Sequence, residues 1–186
     1  MYRVLYASSS RLGALVEVLA RFRPDLHVHA ELSQIESDED LAIGPGDLDA
    51  SWLSNRRIGT VRMRGEFVDV GLSESLAEIR NALAARVLHY GLDELDAATI
   101  RLSAPRKLTQ EISRHLYDRS TPDGLPRFAG LTYRSRLGDE FRNWAIFEAA
   151  RSRVPFASEP EIQAIDPDDP DLQGALRLLG VRLTTT

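Results

Sequence analysis

The chain contains no cysteine, which excludes disulfide bonds and thiolate metal sites. Proteins of the reducing cytoplasm rarely use disulfides, so a cytoplasmic location is the natural expectation. The sequence also lacks an apolar run long enough to cross a bilayer. Its first residues show no basic stretch followed by an apolar core, and we therefore expect neither a signal peptide nor any association with a membrane.

An excess of positive charge is missing as well. The 23 lysines and arginines are outnumbered by 28 aspartates and glutamates, which gives a net charge of −5. Proteins that bind nucleic acid without sequence preference need a basic surface, because binding requires the displacement of counterions from phosphates. We therefore expect no direct nucleic-acid partner.

The common nucleotide and nucleophile motifs are absent too. The sequence has no GxGxxG after a predicted strand and no GxxxxGK[ST], which argues against a standard Rossmann or P-loop site. It also has no GxSxG, so the nucleophile elbow of the α/β-hydrolases is not expected.

Two patterns could suggest a metal, but both have simpler explanations. His27 and His29 share one face of a predicted strand, yet no third ligand lies near them in the sequence. The acidic run at 166–171 lacks the glycine and the distal glutamate of an EF-hand. An acidic start to the next helix explains it better, and we expect no metal site.

The chain of 186 residues is 43% hydrophobic, enough for one domain with a real core. Hydrophobic periodicity predicts helices at 11–23, 73–90, 107–118 and 170–179. It predicts strands at 2–7, 26–32, 128–133 and 143–147, the last two as a hairpin. Residues 60–70 are predicted as a second hairpin of two short strands, 33–59 as irregular and 91–103 as a connector. Because strands and helices do not alternate regularly, we predict an α+β domain over 1–186, with a central mixed or antiparallel sheet and flanking helices.

Glu17 lies on the side of the first predicted helix that faces away from its apolar stripe. One interpretation is an exposed glutamate paired with Arg21 at i,i+4, and spacing alone favours it. The other is a binding residue, because the small side chains around Glu17 would let a ligand approach closely.

Ser135 follows a predicted strand, and alternation would place Leu131, Tyr133 and Ser135 on one face. Arg134 and Arg136 flank the serine. Either this is a turn serine between solvated arginines, or the group forms a phosphate or ribose site, for which serine and arginine are natural partners.

Two blocks of the sequence, covering about half of the chain, resemble the RES-domain family. The segment YRVLYASSSRLGALVEVLARFRPDL is similar to the family's strand ending in Leu-Tyr-Ala and the following helix with Ala-x-x-Glu. The segments LTQEISRHLYD and GLTYRSRLGDEFRNWAIFE resemble its later block, with a Tyr-x-Ser-Arg element before a Trp-Ala-x-Phe strand. Glu17 and Ser135 match the glutamate and serine for which the family is partly named, and Tyr6 matches a tyrosine of its NAD⁺ pocket.

The resemblance implies a fold related to the ADP-ribosyltransferases and cleavage of the bond between nicotinamide and ribose. NAD⁺ would be the substrate, with no further cofactor, and water, phosphate or a protein would accept the ADP-ribosyl group. Glu17 and Ser135 would be the catalytic residues. Tyr6, with Tyr133, Arg134 and Arg136, would bind NAD⁺. The family further implies a toxin that an Xre-type antitoxin neutralises by covering the active site, and it implies a homodimer.

One departure from the family pattern concerns an arginine that the family places just before the Leu-Tyr-Ala strand. Met1 lies almost on that strand, and Arg3 lies within it. We therefore expect a domain without its usual N-terminal segment, in which NAD⁺ is consumed slowly or not at all. The alternatives are a catalytically inactive remnant that acts only in partner binding, and an unrelated small-molecule-binding protein or enzyme. The last would be favoured if Glu17 and Ser135 lay far apart.

Overall fold

The computed structural model of the chain describes residues 2–25, 46–102, 105–148 and 159–185. The strand predicted at 26–32, with His27 and His29, lies outside these residues. The fold is α+β, as predicted. The chain forms two compact units: the first comprises residues 1–9 and 61–159, and the second comprises residues 10–60 and 160–186.

The described helices are α1 (Arg11–Leu19), α2 (Ser51–Ser54), α3 (Ser73–His89), α4 (Ala97–Leu102), α5 (Arg106–Tyr117) and α6 (Pro170–Leu179), and a 3₁₀ turn (Ala20–Phe22) extends α1. The described strands are β1 (Val4–Ser8), β2 (Gly46–Asp49), β3 (Arg57–Thr60), β4 (Phe67–Asp69), β5 (Gly130–Ser135), β6 (Gly138–Phe147), β7 (Glu161–Ala164) and β8 (Val181–Thr184). None of these helices is long and apolar enough to span a membrane.

A mixed sheet organises the first unit, with the strand order β1-β6-β5-β4. β6 pairs antiparallel with both β1 and β5, while β4 pairs parallel with β5. The long β6 is therefore central, and β1 forms one edge of this sheet. Val4 pairs with Phe147, so strands from opposite ends of the sequence of this unit are direct neighbours.

Helix α5 packs on this sheet through three residues spaced four apart. Leu108, Ile112 and Leu116 are buried and belong to one core cluster with Phe147 and residues of α3. This spacing places the three side chains on one face of a helix, so the opposite flanks of α5 keep polar residues. The predicted helix at 107–118 is thus confirmed within one residue at each end.

The second unit contains α1 and α6, which pack together through buried leucine, valine and alanine side chains. Two small sheets accompany them: β2 pairs parallel with β8, and β3 pairs antiparallel with β7. Ser10 caps α1, and its side chain accepts a hydrogen bond from the Gly13 N–H at 3.0 Å. A serine hydroxyl therefore starts this helix.

Asp169 caps α6, so part of the acidic run at 166–171 serves to start this helix. Its carboxylate accepts hydrogen bonds from the backbone N–H groups of Asp171 and Leu172 and forms a salt bridge with Arg11. Burial alone would raise the pKa of Asp169. The Arg11 guanidinium and the two backbone donors outweigh that effect and hold the pKa below its usual value. Pro170 opens the helix, and Gly180 ends it in a left-handed conformation with φ of 63°.

Several predictions of elements were wrong, and the missed strands share one reason. Residues 60–70 do not form a hairpin, because Thr60 pairs with Glu161 and Phe67–Asp69 pairs with Gly130–Thr132. The stretch predicted as irregular contains β2, α2 and β3, and the predicted connector contains α4. Each missed strand finds its partner far along the chain, which local patterns do not reveal. Helix α3 begins at Ser73 as predicted, and Leu72 occupies its cap position.

Candidate functional site

A cavity of about 350 Å³ opens within the first unit. One face of the sheet forms its floor, and α4 and α5 supply the other lining residues. The described residues that line it are Tyr2, Val4, Tyr6, Val70, Ile100, Arg106, Thr109, Gln110, Ile112, Ser113, Leu131, Tyr133 and Ala145. Aliphatic side chains dominate the floor, and none of these lining residues is acidic.

The alternation along the N-terminal strand places Tyr6 at this cavity. Tyr2, Val4 and Tyr6 line it, whereas the intervening Leu5 is 58% exposed and does not contribute. Tyr6 is itself 70% exposed, so it lies at the mouth. Because β1 is held to β6 along its length, the position of Tyr6 is fixed by the backbone ladder rather than by burial.

Tyr2 fixes the start of the same strand against α5. Its hydroxyl donates to the backbone oxygen of Gln110 at 3.4 Å. The centroid of its ring lies 4.6 Å from that of Tyr117. It lies 6.2 Å from the centroid of Phe147, in an edge-to-face arrangement. These contacts join the strand, the helix and the core on one side of the cavity.

Tyr133 enters the cavity from β5 together with Leu131, as strand alternation predicted. Ser135 was expected on the same face, but the β5–β6 register shifts between Arg134 and Ser135. Such an irregularity interrupts the alternation of side chains. Ser135 is not among the described residues that line the cavity.

Ser135 instead organises the turn between β5 and β6. It is 2% exposed, and its hydroxyl oxygen accepts a hydrogen bond from the Leu137 N–H at 2.9 Å. Arg134 donates from its guanidinium to the backbone oxygen of Asp139 at 2.9 Å, and Arg136 is exposed. Neither arginine is among the described residues that line the cavity.

Glu17 belongs to the second unit, on the exposed side of α1. The buried residues Leu15, Val16 and Leu19 occupy the other side of that helix, as the spacing predicted. The structure thus brings together Tyr6 and Tyr133 from the predicted set. That Glu17 and Ser135 line one cleft stays a prediction.

Sequence reasoning missed the contribution of α5 to the site. Arg106, Thr109, Gln110 and Ser113 all line the cavity, and they follow one another at helical spacing beside the buried stripe. The signal was present in the sequence, because a helix was predicted there and its polar flank could be read from the same periodicity. Nothing in the sequence, however, indicated which sheet face that flank would meet.

Comparison with protein families gives one result. The family model described as RES domain matches residues 1–168 of the 186. The matched region includes Glu17, Ser135 and every described residue that lines the cavity. No curated protein and no solved structure shows a significant match to the chain.

Proposed function

The chain belongs to the RES-domain family, and on that basis we propose that it binds NAD⁺ and cleaves the bond between nicotinamide and ribose. The family is linked to NAD⁺-related toxin activity. The observation that carries the proposal for this chain is the cavity in which Tyr6 and Tyr133 stand beside the polar flank of α5.

The chemistry of the cavity suits a dinucleotide. NAD⁺ combines flat rings, two riboses and a pyrophosphate with two negative charges. Tyrosine rings offer flat apolar surfaces with a polar hydroxyl, and Arg106 offers a charge-assisted donor for phosphate oxygens. The lack of any acidic residue among the described lining residues favours an anionic ligand.

The reaction that we propose breaks the bond between C1′ of the ribose and the nicotinamide nitrogen. The electron pair leaves with nicotinamide, which loses its positive charge, and C1′ becomes an oxocarbenium-like centre. Family resemblance assigns Glu17 to stabilise that developing charge, since a carboxylate lowers the energy of a nearby cation. Water or phosphate then adds to C1′, and the proton that water loses passes to solvent.

Ser135 has two roles in the proposal. Family resemblance gives its hydroxyl a hydrogen bond to the substrate. Its burial and its bond with the Leu137 N–H support a second, positioning role, in which it fixes the turn that carries Arg134 and Arg136.

An Xre-type antitoxin and a second copy of the chain are the partners that the family suggests. The exposed Leu5 and Tyr6 on the edge strand β1 support a partner at the cavity mouth, since large exposed apolar side chains are common in interfaces. We expect this chain to co-purify with the antitoxin and the complex to lose NAD⁺ consumption.

The direct test is incubation of the purified chain with NAD⁺, with and without inorganic phosphate. We expect nicotinamide to appear in step with NAD⁺ loss, alongside ADP-ribose or, with phosphate as acceptor, its phosphorylated form. Chromatography separates all of these products. Intact NAD⁺ after prolonged incubation with a folded chain would contradict the proposed activity and favour the inactive, partner-binding alternative.

A further inference from the structure

The polar flank of α5 has the chemistry of an anion-binding wall. Arg106, Gln110 and Ser113 follow at spacings of four and three, so they share one side of the helix, and all three line the cavity. A guanidinium, a carboxamide and a hydroxyl are all hydrogen-bond donors. The hydroxyl of Thr109 already donates to the Arg106 backbone oxygen at 2.9 Å, which leaves those three side chains as the donor set of this wall.

The charge of Arg106 is not neutralised within the described chain. Most described arginines of the first unit have a carboxylate oxygen 2.5 to 3.7 Å away, namely Arg3, Arg80, Arg86, Arg101, Arg114, Arg119, Arg127 and Arg142. Arg106 forms no such pair among the described residues, and it is the arginine that lines the cavity there. An arginine that lines a cavity and forms no salt bridge is suited to bind a negatively charged ligand.

The sequence favoured two other arginines, Arg134 and Arg136, for phosphate binding. The Arg134 guanidinium donates to the Asp139 backbone oxygen, and Arg136 lies at the β5–β6 turn, where it is exposed as Arg106 is. As described above, neither lines the cavity. Arg106 is therefore the better candidate for the same chemistry.

We infer that α5 binds the phosphate groups of a nucleotide, with Arg106 as the phosphate-binding residue and with Tyr6 and Tyr133 beside the adjoining sugar or ring. Resting on the proposed function, that nucleotide is NAD⁺, and Arg106 binds its pyrophosphate. The guanidinium can donate two parallel hydrogen bonds to phosphate oxygens, while Gln110 and Ser113 add neutral donors.

ADP is the probe that isolates this contact, because it carries the diphosphate but no nicotinamide and cannot be turned over. We expect isothermal titration of the whole chain to show ADP binding that weakens about ten- to a hundredfold in Arg106→Gln, since a charge-assisted hydrogen bond is lost. Arg106→Lys should retain part of the affinity, because it keeps the charge but not the bidentate geometry. Arg64→Gln removes the same charge from an exposed position outside the described cavity lining and should bind ADP like the original chain. Arg136→Gln tests the rival arginine at the β5–β6 turn.

The result is informative in either direction. Undetectable ADP binding by the original chain, unchanged affinity in Arg106→Gln, or a loss in Arg136→Gln instead, would overturn the inference. Measuring NAD⁺ consumption on the same samples separates it from the proposed function. ADP binding that depends on Arg106 in a chain that leaves NAD⁺ intact would support the inference and contradict the activity, whereas NAD⁺ consumption without ADP binding would contradict the inference alone.

Discussion

Glu17 presents a carboxylate on the exposed side of α1, in a helix whose stability depends on the buried side. Glu17→Gln keeps the shape of the side chain and removes its charge, so the fold should be unchanged. If the carboxylate stabilises the oxocarbenium-like transition state, NAD⁺ consumption should fall by about a hundredfold or more, the usual loss for one electrostatic contact.

The control for that charge is Glu74→Gln, which neutralises an exposed glutamate in the first turn of α3. Circular dichroism of both variants verifies the fold, and nicotinamide release measures the activity. Equal turnover in the two variants would assign the stabilisation of the transition state to another residue.

Ser135→Ala tests the positioning role of a buried hydroxyl. The substitution leaves the Leu137 N–H without this acceptor, so we expect the free energy of unfolding to fall by about 1 kcal/mol. Ser73→Ala, at an exposed position that does not cap its helix, should stay within about 0.5 kcal/mol. Urea denaturation measures both. If Ser135→Ala has normal stability but consumes NAD⁺ more slowly, the positioning role is excluded and only the hydrogen bond to the substrate remains.

At the scale of single residues, the sequence predicted the placement of side chains that follow a regular period. Tyr133 lines the cavity as the alternation of β5 requires. Ser135, two positions later, lies beyond a register shift, and no composition or spacing in the sequence marks that shift. Glu17 lies on the predicted face of its helix, because α1 is regular.

Among the helices, α6 offers a test of how a cap responds to pH. Asp169→Ala removes the acceptor at the helix start and the salt bridge with Arg11, which should cost about 0.5 to 2 kcal/mol at pH 7. Asp169→Asn keeps a cap oxygen and loses only the charge, so its loss should be smaller.

The pKa of Asp169 is lowered in the folded chain, so its charge stabilises the fold fully above the ordinary aspartate pKa of about 3.9. That stabilisation is lost as the pH falls through the lowered value. The difference in unfolding free energy between the original chain and Asp169→Asn should therefore shrink below about pH 4. A difference that is constant from pH 7 to pH 3 would contradict the role of the charge.

Within the sheet, Gly130 allows β5 and β6 to approach closely. A Cβ atom at this position would lie 2.1 Å from the backbone oxygen of Ala145, and backbone cannot move aside as a flexible side chain can. Gly130→Ala should destabilise the chain by about 1 to 3 kcal/mol. Gly59→Ala in β3 is the matched control, because nothing lies within 4 Å of its Cβ position. Equal melting temperatures for the two variants would show that the ladder adjusts.

Helices and strands differ in how well the sequence predicted them, because helices depend on local signals and strands depend on distant partners. Helices α1, α5 and α6 were predicted closely, since caps and periodicity are local signals. Strands β2 and β8 are four residues each and pair across more than a hundred positions, so their partner, not their own sequence, defines them. The pairing of β4 with β5 was missed for the same reason.

On the scale of the molecule, the two units are each discontinuous in sequence. Residues 61–148 contain three strands of the first unit but not β1, so the polypeptide 61–148 alone should expose the edge of β6 and aggregate. The antiparallel pairing places Arg3 beside Glu148, whose N–H donates to the Arg3 backbone oxygen at 3.1 Å. Residues 3–9 attached after residue 148 through an Asn-Gly turn should therefore form a hairpin with β6.

We expect this permuted polypeptide to be soluble and to unfold cooperatively, in contrast to residues 61–148 alone. Size-exclusion chromatography and thermal unfolding provide the comparison. Identical behaviour of the two polypeptides would show that β1 contributes little to the sheet.

During synthesis, β1 cannot pair with β6 until the ribosome has produced β6. The Ser8 hydroxyl donates to the Arg142 backbone oxygen, 134 positions later. At the usual pace of about 5 to 20 residues per second, the ribosome needs between about 7 and about 27 seconds to produce the partner of the first strand. During that interval Leu5 and Tyr6 lack their native strand partners. We therefore expect the nascent chain to bind a chaperone that recognises short apolar segments.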